Sequence, residues 1–193
     1  NGNGSGDVRY SASNPVLGLT WHALEALNIY ANYGKGFETP TLVEVAYTST
    51  GAPNFNPDVN ASRSRHFELG SKWVPNASAR IDFTMYRVES SDEIVVAVSN
   101  GGSAAYQNAP GTIRTGWEFG GRALLAPNWR ATVSASAVDA RFNQDYSNVI
   151  GGTTYNIASG NRLPGIPQHF LFSELLWSSQ TLDVARHAWR SGT

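Results

Sequence analysis

A strict alternation of apolar and polar residues constrains this chain more than any other feature of its sequence. It is clearest in Leu27–Glu44, LNIYANYGKGFETPTLVE, which alternates until it reaches glycines and breaks at Pro40. Leu27, Ile29, Ala31 and Tyr33 fall on one side of an extended strand, and Asn28, Tyr30, Asn32 and Gly34 on the other, because strand side chains alternate with period two. A segment with one oily face and one polar face belongs in a sheet whose oily side meets a core or lipid.

The same pattern recurs along the chain. LGLTW, around Val16–Trp21, leads through a short connector near Leu24–Ala26 into the Leu27 strand, as a first hairpin. Phe67, Leu69, Ser71 and Trp73 alternate with His66, Glu68, Gly70 and Lys72. Val74–Ala77, with its Pro-Asn pair, reads as a turn into a strand with Ile81, Phe83 and Met85 opposite Arg80, Asp82, Thr84 and Tyr86. Trp117, Phe119, Gly121, Ala123 and Leu125 oppose Glu118, Gly120 and Arg122. After Ala126–Asn128, the residues Ala131, Val133, Ala135 and Ala137 oppose Arg130, Thr132, Ser134 and Ser136. A last clear strand runs through Leu171, Ser173, Leu175 and Trp177, and a less patterned one follows over 181–190.

The connections between these segments are of two kinds. Turns of a few residues near 24, 75, 127 and 179 alternate with long segments at 38–63, 91–112 and 143–163, the second of them carrying some strand of its own around Glu93–Val98. Loops of about 20 residues are uncommon in compact soluble domains. Outer-membrane barrels use this asymmetry, with short periplasmic turns and long extracellular loops. The expected fold is therefore all-β: an antiparallel transmembrane β-barrel fragment of about eight strands, forming one partial barrel domain over residues 1–193.

Charge placement agrees. Glu68, Lys72, Arg80, Asp82, Glu118, Arg122 and Arg130 all lie opposite the apolar stripes, as a polar lumen requires. Trp73, Trp129 and Trp177 flank the short turns, where an interfacial girdle belongs, and Tyr33 and Phe37 lie toward the outer ends. The net charge of -1 offers no basic field for nucleic acid, and the absence of cysteine excludes disulfides and thiolate metal sites. No apolar run is long enough for a membrane helix, and Asn1–Asp7 carries no signal-peptide pattern; the abrupt limits suggest a piece of a longer protein.

Four stretches then carry a resemblance. YGKGFETPTLVE resembles the strand of TonB-dependent outer-membrane receptors that ends in a Gly-Phe-x-x-Pro-Thr-Leu signature. FNPDVNASRSRHFELGSKW resembles their Asn-Pro-x-Leu-x-Pro-Glu-x-Ser…Glu-x-Gly-x-Lys stretch, with Val59 for Leu and Ala61 and Ser62 where Pro and Glu are commoner. YQNAPGTIRTGWEFGGRALL resembles the Asn-x-Gly…Gly-x-Glu strand, and NRLPGIPQHFLFSELLW the Pro-x-x-Pro-x-His strand that follows. The resemblance covers about Asn14 to Trp177. It implies part of a plugged, 22-stranded barrel in the outer membrane of a Gram-negative bacterium, importing a scarce ligand such as a ferric siderophore. It also implies energy relayed by TonB through an N-terminal region, which is expected outside this chain, as are the plug and the closing strands. A porin-like passive channel shares the strand pattern, and a soluble carbohydrate-binding β-sandwich is a second alternative.

No catalytic constellation is present in the sequence. His22, His66, His169 and His187 stand on separate segments, without G-x-S-x-G or H-E-x-x-H, so neither an enzyme nor a cofactor is expected. Asp92-Glu93 reads as a solvated pair, with a calcium site as the alternative. The glycine runs lack the strand-to-helix setting of a phosphate loop. Two sets of candidates remain. Glu68, Lys72, Glu118, Arg122 and Arg130 either line a substrate path or contact a plug, or form a cross-strand charge ladder that satisfies a polar lumen. Tyr47, Phe55, Tyr106, Tyr146 and Tyr155, in the long loops, either contact ligand or pack on their own loops.

Overall fold

The computed structural model describes residues 6–48, 52–100, 103–150 and 153–179. Eleven strands are found there: β1 (Val16–Leu24), β2 (Leu27–Glu38), β3 (Ser62–Asn76), β4 (Ala79–Ser91), β5 (Glu93–Asn100), β6 (Ser103–Ala109), β7 (Thr112–Ala126), β8 (Trp129–Phe142), β9 (Tyr146–Ile150), β10 (Thr153–Ile157) and β11 (His169–Trp177). Seven form one sheet in the order β1-β2-β3-β4-β7-β8-β11, and every neighbouring pair is antiparallel. Within the described residues this sheet is open, with β1 and β11 at its edges. The strand expected over 181–190 lies outside the described residues.

Two of the three long connections are hairpins in their own right. β5 pairs with β6 and β9 with β10, so 91–112 holds more strand than expected and 143–163 is not the irregular loop its composition suggests. β9 and β10 are five residues each and largely polar, which conceals their alternation. Among its described residues the first connection, after β2, has no strand; it turns at Leu42–Val45 and makes an isolated bridge between Tyr47 and Pro53.

The short turns share one construction. Register slips by one residue just before each of them, between His22 and Leu24, between Trp73 and Asn76, and between Leu124 and Ala126. A bulge of this kind adds twist and bends the strand toward the turn. It also moves the second turn from its expected place: Pro75 lies inside β3, at the bulge, where a residue without N–H is tolerated. The turn itself is Ala77-Ser78, held by the Ser78 N–H donating to Asn76 Oδ1 at 2.8 Å. Each turn is then tied to the next hairpin. Val74 N–H donates to Ala26 O at 2.8 Å, Leu124 N–H to Ser78 O at 2.8 Å, and Ser178 N–H to Asn128 O at 3.0 Å.

The register also shows how the sheet is inclined. The last residue of the unbroken apolar stripe is Tyr33 on β2 and Phe67 on β3, which are direct partners; Phe37 and Ile113 stand further out on the same face, beyond Lys35 and Thr115. On β4, β7 and β8 the stripe ends at Met85, Trp117 and Ala137, one cross-strand row lower, and on β11 at Leu171, lower again. At the other end the stripe begins at Leu27 and Trp73 on β2 and β3 but at Trp129 and Trp177 on β8 and β11. Such a stagger is what strands tilted against a horizontal apolar band produce. The Trp129 to Ala137 stripe is nine residues, or about 23 Å of height at roughly 3.4 Å per residue and ~40° of tilt. Trp73, Trp129 and Trp177 sit on this face at its short-turn end, exposed, as a girdle requires.

On the polar face, large side chains lie over glycines. Tyr30 crosses Gly70, its register partner, and its hydroxyl reaches Thr84 Oγ1 at 2.9 Å, one strand further on. A Cβ at Gly70 would run into the Tyr30 ring. Gly70→Val is therefore expected to displace Tyr30 and to cost about 1–2 kcal/mol in urea titrations of vesicle-folded protein. Tyr30→Ser in the same chain is expected to recover part of the loss; a Gly70→Val variant as stable as wild type would contradict this packing.

Almost no apolar side chain of the sheet is buried. Among the described residues the buried apolar side chains are Val59, Ala61, Ala97, Ala105, Ala109, Ala140 and Phe142, all at the end that carries the long connections. The core therefore sits over one end of the sheet, where the loops pack on one another.

Candidate functional site

This loop-bearing end has a definite architecture. Asn108, on β6, is its tie-point. Its Oδ1 accepts from Asn60 N–H at 2.6 Å, and its Nδ2 donates to Asn60 O at 2.9 Å and to Asp92 O at 2.7 Å. One side chain thus joins the first connection, the second hairpin and the corner between β4 and β5. That corner needs a fixed point, because Asp92 adopts φ 56°, a left-handed conformation that Asp tolerates better than most residues. From the other side, Tyr10 Oη donates to Val59 O at 2.8 Å, and burial raises the Tyr10 pKa.

Glu93 is not the solvated carboxylate its neighbour Asp92 suggests. Arg114 Nη2 donates to Glu93 Oε1 at 2.5 Å, Thr112 Oγ1 donates to Oε2 at 2.5 Å, and Arg114 Nη1 donates to Thr112 Oγ1 at 2.8 Å. Thr112 is only 1% exposed. The reason is topological: β5 leaves the main sheet beside the start of β7, which brings residues 21 apart in sequence together. No cluster of acids and histidines able to hold a metal is found among the described residues.

The five aromatic candidates occupy different parts of this cap. Tyr47 bridges Pro53, and the half-buried Phe55 ring packs against Gly6. Tyr106 is half-buried in β6, opposite Val96. Tyr146 opens β9, its ring centroid 5.2 Å from that of Phe142; burial raises its pKa, and the Glu93 carboxylate adds to the shift. Tyr155, on β10, is 50% exposed, the only one of the five classed with the exposed large side chains. The three connections are thus brought to one end of the sheet, while their aromatics are presented to different degrees.

Comparison with known proteins decides what this arrangement belongs to. Residues 1–192 match the family model described as TonB dependent receptor-like, beta-barrel. The chain belongs to that family. The siderophore receptor PiuA from Acinetobacter baumannii has a similar fold, with TM-score 0.65 and 18% identity over 84% of this chain and 23% of PiuA. So has the ferric-catecholate import receptor Fiu from E. coli K12, with TM-score 0.62 and 18% identity over 86% and 22%. The ferric yersiniabactin uptake receptor FyuA from Yersinia pestis gives TM-score 0.60 and 17% identity over 83% and 22%. The chain therefore spans less than a quarter of the length of these receptors. TonB-dependent receptors are transporters, not enzymes. The soluble sandwich alternative would need a second sheet over the apolar stripes, and the described residues contain none.

Opposite the apolar stripes the sheet presents its polar face. All five charged candidates lie there by register. Glu68 stands between Asn32 and Tyr86, and Lys72 between Asn28 and Asp82, with its Nζ 5.5 Å from the Tyr30 ring centroid. Glu118 lies between Thr84 and Ser136, Arg122 between Arg80 and Thr132, and Arg130 between Leu124 and Leu176. One ion pair on this face runs along a strand, from Arg80 Nε to Asp82 Oδ2 at 2.7 Å. β11 departs from the expected pattern. Phe170 and Phe172 stand on the polar side, opposite Ser136 and Ser134, so apolar residues outnumber Glu174 on that face of the strand. Sequence reasoning found the aromatics from composition but gave no role to Asn108, whose signal is its place at the end of β6, just before Pro110-Gly111.

Proposed function

We propose that this chain is part of an outer-membrane receptor that imports a ferric siderophore or a similar scarce chelate, energised by TonB through an N-terminal region beyond this chain. The membrane is the outer membrane of a Gram-negative bacterium, and the apolar stripes face its lipid. One observation carries the reading: the three long connections gather into a packed, aromatic-bearing cap over one end of a sheet whose other face is polar. A cap of this kind offers a ligand aromatic surface at low entropic cost and a polar path below it. The names of PiuA, Fiu and FyuA support the ligand class.

The test is Tyr155→Ala in the intact receptor, with ferric catecholate and ferric hydroxamate chelates as probes. The expected result is binding of one chelate class that is about tenfold weaker in the variant, equivalent to ~1.4 kcal/mol, with unchanged receptor abundance. Radioiron uptake that is absent from the wild-type receptor for every chelate would overturn the reading.

A further inference from the structure

Arg80, Arg87 and Arg141 each hold a carboxylate from their own strand, two residues away. Arg80 Nε meets Asp82 Oδ2 at 2.7 Å, Arg87 Nη2 meets Glu89 Oε1 at 2.8 Å, and Arg141 Nε meets Asp139 Oδ2 at 2.6 Å. Arg114 is built differently. Its own strand offers Thr112 and Gly116 at those positions, and its register partners are Val88 and Ala140, so neither its strand nor its neighbours place a carboxylate beside it.

The partner of Arg114 is Glu93, brought in by the β5–β6 hairpin. By strand parity Arg114 and Thr112 lie on the polar face with Glu118, at the end that carries the cap. Both oxygens of Glu93 are held there: Arg114 Nη2 donates to Oε1 at 2.5 Å and Nη1 to Oε2 at 3.3 Å, and Thr112 Oγ1 donates to Oε2 at 2.5 Å. A forked guanidinium and one hydroxyl make a complete cradle for a carboxylate.

The cradle is open to exchange. The Arg114 side chain is 26% exposed and that of Glu93 24%, so solvent reaches both. Glu93 follows directly on Asp92, whose φ of 56° marks the corner where the chain leaves the sheet, so the acid belongs to the hairpin and the cradle to the wall. Phe142, the register partner of Thr112, and Tyr146 put two rings next to the cradle.

We propose that Arg114 and Thr112 form a carboxylate-binding site at the cap end of the polar face, which Glu93 fills as an internal stand-in until a free carboxylate of the ligand displaces it. The inference rests on the import function proposed above and narrows the ligand to a chelate that keeps a carboxylate off its metal. Glu93 then acts as a competitor. A site held by its own acid about nine-tenths of the time binds a ligand about tenfold more weakly than the vacant site. A chelate with no free carboxylate leaves Glu93 in place and the hairpin clasped to the wall.

The experiment measures binding of citrate to the intact receptor at fixed ionic strength, against trimethyl citrate, the uncharged ester of the same skeleton. Iron is left out, so the result does not depend on which chelate the receptor carries. Citrate is expected to bind the wild-type receptor about tenfold more tightly than the ester, and to bind Glu93→Gln about tenfold more tightly again, because the neutral amide competes poorly. Arg114→Gln is expected to abolish the preference for citrate. A bridge that only clasps the hairpin gives the opposite result, with citrate binding equal or weaker in Glu93→Gln. A diazirine-tagged citrate is expected to label residues 112–116 or Tyr146 of the wild-type receptor, a readout that needs no variant to fold. Labelling elsewhere, equal binding of citrate and its ester, or citrate binding that does not rise in Glu93→Gln would each overturn the proposal. Uptake of ferric chelates is measured with the same receptor. Citrate preference without uptake of any chelate overturns the import function alone, and uptake without citrate preference overturns the carboxylate site alone.

Discussion

Arginine at position 133 is expected to cost the folded barrel about 2–4 kcal/mol, the penalty for a cation at the bilayer midplane. Val133 is the central outward residue of the Trp129–Ala137 stripe and lies in register with Gly121 and Ser173, so an arginine there has no carboxylate beside it. Snorkelling does not rescue it, because about four residues of strand separate it from either end of the stripe. Thr132→Arg is the matched control. It sits one residue away on the polar face, in register with Glu174 on one side and Arg122 on the other, so attraction and repulsion offset, and it is expected to change stability by less than about 1 kcal/mol. Urea titration of the intact receptor folded into vesicles measures both. Equal costs for the two variants would mean that the faces are wrongly assigned.

The second large effect is expected at Asn108. Alanine removes three hydrogen bonds, of 2.6, 2.7 and 2.9 Å, that join the first connection, the β5–β6 hairpin and the Asp92 corner. At about 1 kcal/mol for each bond, with part of the loss returned by water, the cap loses roughly 2 kcal/mol. The barrel itself should be unaffected, since the tie-point lies beyond the apolar stripes. The result is therefore local: limited proteolysis is expected to cut within 39–61 about ten- to thirtyfold faster, following the population of the open cap, with an unchanged urea midpoint for the sheet. Asn108→Asp keeps the bond from Asn60 N–H but loses both donors, and is expected to fall between. Unchanged proteolysis in Asn108→Ala would show that the cap is held elsewhere.

The sequence made the faces legible and concealed the junctions. Leu27, Ile29, Ala31 and Tyr33, and the stripes that repeat them, announce their side of the sheet because period two is a local property, readable wherever one side meets lipid. Pro75 misplaced its turn, because a Pro-Asn pair is a turn signal in isolation and only the register reveals that a bulge holds it. The β9–β10 hairpin went unread because its strands are five residues each and largely polar. Glu93 is a similar case: its partners come from β7, and the distance between them in sequence is set by how β5 and β6 leave the sheet. The loop aromatics were visible as residue types, but their exposure depends on which of them the cap buries.

The ties from Ala26, Ser78 and Asn128 to the following hairpin make each unit the same: two strands, one bulge, one two-residue turn and one clasp to its successor. A wall built in this way can be lengthened or shortened by whole hairpins, since every removed clasp is replaced by an identical one. It cannot change by a single strand without leaving one carbonyl unanswered and inverting every later connection across the membrane. The long-connection end is free of that rule. Its first two segments are tied to each other through Asn108, so they change as a pair while the wall beneath them keeps its register.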